Sequence, residues 1–251
     1  MIPLLLFAAA AAAPAVPLDE VPGGDAKRFE ACTALIKADP KTAVDQADAW
    51  ARRSADVPAQ QCLGLALVAV ERWAPASVAF EQAAREAELR RDGRAATLWT
   101  QAGNAALAGD DPGRARDQMD RALALPTLPD PLRGEALIDR ARADVALNDL
   151  ATARKDLDSG LTLVPQDPFV WLLSATLARR QNDLARAEKE IQEALKLAPD
   201  DAAVALEAGN IASARGATEA ARLAWQQAAK LAPDDPAGKA ASAALAQTSQ
   251  P

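Results

Sequence analysis

Histidine and tyrosine are absent from the 251-residue chain, whose only aromatic residues are four phenylalanines and five tryptophans. Without histidine, the chain has no Ser-His-Asp or Cys-His catalysis and no zinc or haem site with a histidine ligand. Because 65 residues are alanine, we expect a core of closely packed small side chains. The sequence also holds no glycine-rich phosphate loop and no cluster of metal ligands, so we expect no cofactor and no metal.

Positive charge is in short supply, with 28 lysines and arginines against 35 acidic residues and a net charge of −7. This balance opposes nonspecific binding to nucleic acid or to an anionic membrane surface, so we expect neither partner. Paired carboxylates such as Asp110-Asp111, Asp200-Asp201 and Asp234-Asp235 stand at turns before helices. There they cap backbone amides and favour the positive end of the helix dipole, so we expect no enzyme activity.

The first sixteen residues carry no charged side chain and hold Ile-Pro-Leu-Leu-Leu-Phe followed by six alanines. An apolar run of about 15 residues is shorter than the ~18–20 needed to span a bilayer, and small residues follow it. This resembles a secretory signal peptide, with cleavage after Ala15 and a mature chain that begins at Val16. We therefore expect a periplasmic protein without stable membrane insertion after signal removal. The alternative is an unstructured, alanine-rich terminus.

A period of 34 residues organises the rest of the chain, since Leu-x-Pro recurs at Leu163–Pro165, Leu197–Pro199 and Leu231–Pro233. Such a period is the mark of a repeat architecture. Small residues recur in phase with each proline, and turn-forming residues separate two helical patterns in each unit. Each unit is therefore predicted to be a helical hairpin, with turns at Asn148-Asp149, Asn182-Asp183 and Gly216.

The same phase continues upstream, which gives a domain organisation for the whole chain. Residues 1–15 are predicted as the signal peptide, 16–25 as a linker and 26–56 as a degenerate amino-terminal hairpin. Residues 57–235 are predicted as the repeat array, and 236–251 as a capping helix and tail. Asp-Pro pairs predict helix starts, because aspartate caps free amides and proline suits the first helical position; they are Asp39-Pro40, Asp111-Pro112, Asp130-Pro131, Asp167-Pro168 and Asp235-Pro236.

The repeat resembles the tetratricopeptide repeat family, and the best-matching unit carries Trp171, Ala175, Ala187, Ile191, Ala194 and Pro199. The resemblance implies an all-α, right-handed superhelical solenoid of about five repeats, one degenerate amino-terminal hairpin and a carboxy-terminal capping helix. A generic alanine-rich bundle would not require the 34-residue recurrence. The family's usual leucine in the first helix is replaced by Arg140, Ser174 and Ala208, where we expect looser packing.

The resemblance implies a concave groove, lined by first helices, that binds a partner protein or peptide of unknown identity. Asn104 and Asn210 fit one element of the clamp with which some family members hold acidic chaperone tails, but no lysine accompanies them, so we expect no such clamp. The residues predicted to line the groove are Thr100, Asn104, Leu107, Ile138, Arg142, Val145, Leu172, Thr176, Arg179, Arg180, Leu206, Asn210 and Ser213.

Three arginines of this set, Arg142, Arg179 and Arg180, gather on the predicted groove of an acidic protein. They either pair with Asp139, Asp144 and Asp183, or receive a carboxylate of a partner beside Ile138 and Leu172, which would supply apolar contact. The leading prediction for the protein is a non-catalytic periplasmic scaffold. The alternatives are a structural subunit of an envelope or secretion assembly that uses its outer face, and an enzyme with a carboxylate site.

The two cysteines, Cys32 and Cys62, fall on the first helices of consecutive predicted units and could face each other. In an oxidising periplasm such a pair can form a disulfide that closes a loop of about 30 residues. The alternative is a pair of buried free thiols, which behave as small hydrophobic side chains.

Overall fold

The structure is a computed structural model that describes residues 17–248. The predicted signal peptide 1–15, Val16 and residues 249–251 lie outside the described residues. Within the described range the chain forms a short 3-10 turn, Leu18–Glu20, and thirteen α-helices without any strand; the helices are Gly24–Ala38 (α1), Pro40–Arg53 (α2), Val57–Ala69 (α3), Trp73–Leu89 (α4), Ala95–Ala108 (α5), Pro112–Ala124 (α6), Asp130–Ala146 (α7), Leu150–Leu163 (α8), Pro168–Arg180 (α9), Leu184–Leu197 (α10), Ala202–Ala214 (α11), Thr218–Leu231 (α12) and Pro236–Thr248 (α13).

The chain divides into two compact units that meet within α5, between Leu98 and Trp99. In the first unit, α1 packs against α2 and α3, and α3 packs against α4. In the second, α7 pairs with α8, α9 with α10 and α11 with α12, while α13 packs against α11 and α12. In the second unit, α6 also contacts α7, α8 contacts α9 and α10 contacts α11. No helix of residues 17–248 has both the length and the apolar character required to cross a membrane.

Aspartate marks the start of most helices. The side chains of Asp39, Asp111 and Asp167 accept backbone N–H bonds at the starts of α2, α6 and α9, as the Asp-Pro pairs predict. Asp130 differs, because it is already the first residue of α7 and Pro129 takes the capping position. Further aspartate caps without the predicted Asp-Pro pair start four other helices; they are Asp56, Asp149, Asp183 and Asp201.

The turn inside each of the five hairpins from α3 to α12 uses one residue in the left-handed backbone region. Asn148, Asn182 and Gly216 have φ angles of 64°, 61° and 78°. Asparagine and glycine tolerate this conformation better than other residues do, because it crowds most side chains. Glu71 and Asp110 take the same place in the two upstream hairpins, with φ of 58° each. The predicted turns are therefore confirmed, and the upstream units use the same geometry with less favourable residues.

Within a hairpin, the two helices cross where a small residue of the first helix meets a large residue of the second. A Cβ atom added to Gly209 would lie 2.4 Å from Cδ1 of Trp225, and one added to Gly103 would lie 2.7 Å from Cε of Met119. Such separations are far shorter than any van der Waals contact. Glycine is therefore required at these two crossings, because the facing side chain lies where a Cβ atom would stand.

In the two hairpins between these, α7–α8 and α9–α10, alanine replaces glycine at the crossing. Ala141 of α7 shares a buried cluster with Leu157 of α8, and Ala175 of α9 shares one with Ile191 of α10. Here the first-helix residue carries a methyl group, and the facing side chain is a branched aliphatic one that packs beside it.

The first unit contains a disulfide. Cys32 of α1 and Cys62 of α3 are both fully buried, and their sulfur atoms are bonded with a Cα–Cα distance of 6.2 Å. They lie in one cluster with Trp50, Ala43 and Ala47 of α2. The bond joins the first helices of two successive hairpins, which is the arrangement that the sequence left open.

The predicted linker over residues 16–25 differs from the structure. Leu18 is 2% exposed and belongs to the same cluster as the disulfide, and its N–H donates to Oε1 of Gln46 at 3.0 Å. The helix α1 begins at Gly24. A single apolar side chain packed between α1 and α2 therefore fixes a segment whose glycine and proline content indicated a loop.

Replacing Gly209 with Ala is expected to destabilise the protein by about 1–3 kcal/mol, because the new methyl group overlaps Trp225. Trp225→Leu in the same chain should recover part of this loss, since alanine faces leucine at the α7–α8 crossing. Urea unfolding of both single variants and the double variant measures the coupling. Gly113→Ala is the matched control, since the nearest atom to its added Cβ is 3.8 Å away. Additive effects of the two substitutions would contradict the account.

Candidate partner-binding groove

The thirteen predicted groove residues lie on the first helices α5, α7, α9 and α11, but they differ greatly in exposure. Asn104, Arg142, Arg180 and Ser213 are exposed. Six others are half-buried: Leu107, Val145, Thr176, Arg179, Leu206 and Asn210. Thr100, Ile138 and Leu172 are buried.

The prediction that Ile138 and Leu172 offer apolar contact to a partner is wrong. Ile138 is 2% exposed and packs in one cluster with Leu157 and Val170, while Leu172 lies in the cluster around Ile191. Both face the neighbouring helices because the apolar stripe of α7 and α9 is wider than a single row of small residues. Thr100, at 7% exposure, is removed from the surface in the same way.

Four predicted residues, two from α7 and two from α9, do come together. They surround a depression of about 130 Å³, which we call the α7–α9 depression. Its floor and walls are mainly apolar, and the half-buried Leu173 lines it instead of the buried Leu172. The lining residues are Ala141, Arg142, Val145, Leu157, Leu173, Thr176, Leu177 and Arg180.

The two arginines at the rim differ in how far their charge is compensated. Nη1 of Arg142 donates to Oδ1 of Asp139 at 2.7 Å, and its guanidinium lies 5.8 Å from the ring centroid of Phe169. Burial raises the pKa of Asp139, and the bond from Arg142 opposes that shift. The side chain of Arg180 is exposed and forms no hydrogen bond or ion pair with any of residues 17–248. Arg180 therefore carries the uncompensated positive charge of the depression.

Arg179 is not available to a partner in the same way. Its Nε and Nη2 atoms donate to the two carboxylate oxygens of Glu207 at 2.6 and 3.1 Å. Asn210 donates to the same carboxylate at 3.1 Å and accepts a hydrogen bond from Nε1 of Trp225 at 3.0 Å. Glu207 is 6% exposed. This chain of bonds holds α9, α11 and α12 together and uses two of the predicted groove residues internally.

The remaining predicted residues lie away from the depression. Leu107 packs against a small cluster formed by α5, α6 and α7, and Leu206 packs against the cluster that contains Trp225. Asn104 and Ser213 are exposed on α5 and α11, and neither lines the depression.

The place of the missing leucine in the first helix is filled by polar groups rather than loosely packed. Arg140 of α7 donates from Nε and Nη2 to the carboxylate of Asp156 on α8, both at 2.7 Å, and from Nη1 to Asp120 on α6 at 2.6 Å. Hydrogen bonding to Asp156 is the main cause of its raised pKa. The expectation of loose packing at Arg140 is therefore wrong.

Ser174, at the equivalent place in α9, is fully buried in a second set of polar contacts. Its Oγ donates to Oε2 of Glu190 at 2.7 Å and accepts from Arg154 at 2.9 Å. Arg186 donates to Oε1 of Glu190 at 2.6 Å and also binds Asp158. These contacts join α8, α9 and α10. The sequence offers one signal for them, an acidic residue that recurs after 34 positions at Asp156 and Glu190.

The side chain of Asp144 accepts no such hydrogen bonds. Its side chain is fully buried, and no group of residues 17–248 donates a hydrogen bond to either carboxylate oxygen. Nη1 of Arg116 is 3.9 Å from Oδ1. Burial, followed by the charges of Asp156 and Asp149, raises the pKa of Asp144 to about 6. Asp144 thus does not neutralise a groove arginine, as one interpretation of the sequence expected.

The profile of the tetratricopeptide repeat family matches residues 100–168 and 172–236. Together these two stretches cover more than half of the chain. The chain belongs to the tetratricopeptide repeat family. No curated protein sequence matches it.

Solved structures with the same fold include three proteins of similar size. PilF of Pseudomonas aeruginosa is 15% identical, with a TM-score of 0.68 over 88% of this chain and 97% of the other. PilW, a type IV pilus biogenesis factor, is 17% identical, with a TM-score of 0.70 over 86% and 96%. YrrB, a tetratricopeptide repeat protein with an unusual peptide-binding site, is 19% identical, with a TM-score of 0.56 over 86% and 99%. The predicted fold class, an all-α repeat solenoid, is confirmed.

Asp144→Asn is expected to stabilise the protein at pH 7, by at most about 3 kcal/mol, because it removes a buried charge that accepts no hydrogen bond. The raised folded-state pKa means that the folded wild type takes up a proton as the pH falls from about 6 towards the usual aspartate value of ~3.9. Wild type should therefore gain stability on acidification that the variant does not.

Urea unfolding of both proteins at pH 7 and pH 5 measures this difference. The advantage of Asp144→Asn should shrink at pH 5. Asp117→Asn, an exposed change of equal charge on α6, is the control and should show no such loss. If Asp144→Asn were more stable than wild type by the same amount at both pH values, the raised pKa of Asp144 would be refuted.

Proposed function

We propose that the protein is a non-catalytic periplasmic scaffold that holds a segment of a partner protein in the groove formed by its first helices. The observation that carries the proposal is the α7–α9 depression, in which exposed and apolar groups of two successive first helices converge. Membership of the tetratricopeptide repeat family supports it, because this fold typically serves protein interaction rather than catalysis. YrrB, a relative in fold, has a peptide-binding site.

The periplasmic location rests on two features of the chain. The first fifteen residues have the composition of a secretory signal peptide. The Cys32–Cys62 disulfide belongs to a class of bond that persists in oxidising compartments and is rare in the cytosol. PilW, similar in fold, is a type IV pilus biogenesis factor, which accords with a role at the cell envelope. A structural subunit that uses its second helices is the competing proposal.

Export and oxidation can be measured together on protein from a periplasmic extract. Intact mass analysis should find a chain that begins at Val16 and lacks the two thiol hydrogens of Cys32 and Cys62. Neither cysteine should react with an alkylating reagent in denaturant until reductant is added. Reduction should lower the melting temperature, since closing a loop of this length stabilises by roughly 3–4 kcal/mol. Full-length protein in the cytoplasm with two free thiols would contradict the location.

Use of the groove can be tested by photo-crosslinking in cells. A photoreactive amino acid in place of Thr176, inside the α7–α9 depression, should give a discrete crosslinked product. The same amino acid in place of Lys155, exposed on the second helix α8, is the matched control and should give none. Crosslinks from Lys155 alone would overturn the groove proposal and favour the structural subunit.

A further inference from the structure

The α7–α9 depression has the dimensions of a site for one side chain. Its volume is about 130 Å³, and an apolar cavity of ~150 Å³ holds a benzene molecule. Leu157, Leu173 and Leu177 give it apolar walls, and Val145 adds a fourth apolar side chain. One aliphatic or aromatic side chain therefore fits, whereas a folded surface or a long helix face would not enter.

The rim of the α7–α9 depression carries a net positive charge, because the Arg142–Asp139 ion pair is neutral and Arg180 is unpaired within residues 17–248. Arg142 is bound to Asp139, whose side chain is 14% exposed, while Arg180 stands exposed and unpaired among the described residues. The protein as a whole carries a net charge of −7, so this rim is a local exception. A guanidinium offers two parallel donors to a carboxylate, which makes an acidic group the matching ligand.

Between α9 and α11, the next pair of first helices, the polar side chains are already bonded to one another. Arg179 and Asn210 are bonded to Glu207, so the first helix α11 presents no comparable free cation beside them. The exposed ring of Phe169, 41% accessible and stacked beside Arg142, extends the apolar surface at the α9 start instead. A ligand is therefore held at one step of the groove rather than along its full length.

We infer that the α7–α9 depression binds an acidic protein segment that inserts one aliphatic or aromatic side chain and places a neighbouring carboxylate on Arg180. This rests on the proposed function and names the class of its partner. The apolar side chain supplies contact area, and the carboxylate supplies orientation, because its bonds to the guanidinium are directional. Arg142 adds positive potential at the rim but remains paired with Asp139.

Three labelled synthetic peptides of equal length test the inference with the oxidised, mature protein. The first has a leucine between glutamates and aspartates, the second replaces that leucine with serine, and the third replaces the acidic residues with lysines. Fluorescence anisotropy should find the first peptide bound at least about tenfold more tightly than either of the others. Its affinity should fall as salt is raised, because the contact is exposed.

Variants assign the binding to the depression. Arg180→Ala should weaken the first peptide by about tenfold or more, and Leu173→Ser should weaken it while leaving the serine peptide unchanged. Arg222→Ala is the matched control, since it removes an exposed arginine from the second helix α12, and it should leave affinity as in wild type. Circular dichroism confirms that each variant is folded.

Equal binding of the acidic and basic peptides, no binding of the first peptide at millimolar concentration, or unchanged affinity in Arg180→Ala would overturn the inference. The proposed function fails separately. If the photo-crosslink from Thr176 persists while the acidic peptide does not bind, the groove is used but its partner is of another class. If neither the Thr176 crosslink nor binding of the acidic peptide is found, the proposed function of the groove is refuted as well.

Discussion

The crossing of two helices at a small residue is the contact on which the rest of this structure depends. In the five hairpins from α3 to α12, a glycine or alanine of the first helix lets the second helix approach closely, and a large side chain of the second helix fills the space beside it. Glycine meets Trp225 and Met119, and alanine meets Leu157 and Ile191. Because a single hairpin cannot bury its apolar faces alone, the hairpins stack and the same crossing recurs.

Two positions next to the crossing are polar in the second unit of the chain. Arg140 and Ser174 occupy places where the family commonly has leucine, and Asp156 and Glu190 receive them from the second helices. Buried ion pairs contribute little net stability compared with apolar side chains, but breaking one of them is strongly destabilising. The network therefore fixes which helix faces lie together, and it keeps these charges away from the groove.

Periodicity in the sequence predicted the hairpins and their turns, and it placed the two cysteines within reach of each other. These features are predictable because small residues, prolines and turn residues are each required by the local geometry of the backbone. The groove was predicted less well. Successive residues are spaced 100° apart around a helix, so the spacing does not separate a residue at the edge of the groove from one at the edge of the core. Ile138 and Leu172 were therefore assigned to the groove although they lie in the core.

The pairing of charges was only partly within reach of the sequence. Asp139 lies three residues before Arg142 on the same helix, so this pair was among those expected. Glu207, which binds Arg179, lies 28 residues away on another helix and was not expected. Asp144 is a similar case, since its burial depends on helices α6 and α8 that pack from either side. Long-range contacts of this kind have no local sequence signal.

The most direct measurement is a structure of the protein with the segment of the partner captured at Thr176. The account predicts that one apolar side chain of that segment lies between Val145 and Leu173, with a carboxylate on the guanidinium of Arg180 and no displacement of Glu207 from Arg179. A segment bound along the second helices α8 and α10, with the depression empty, would contradict it.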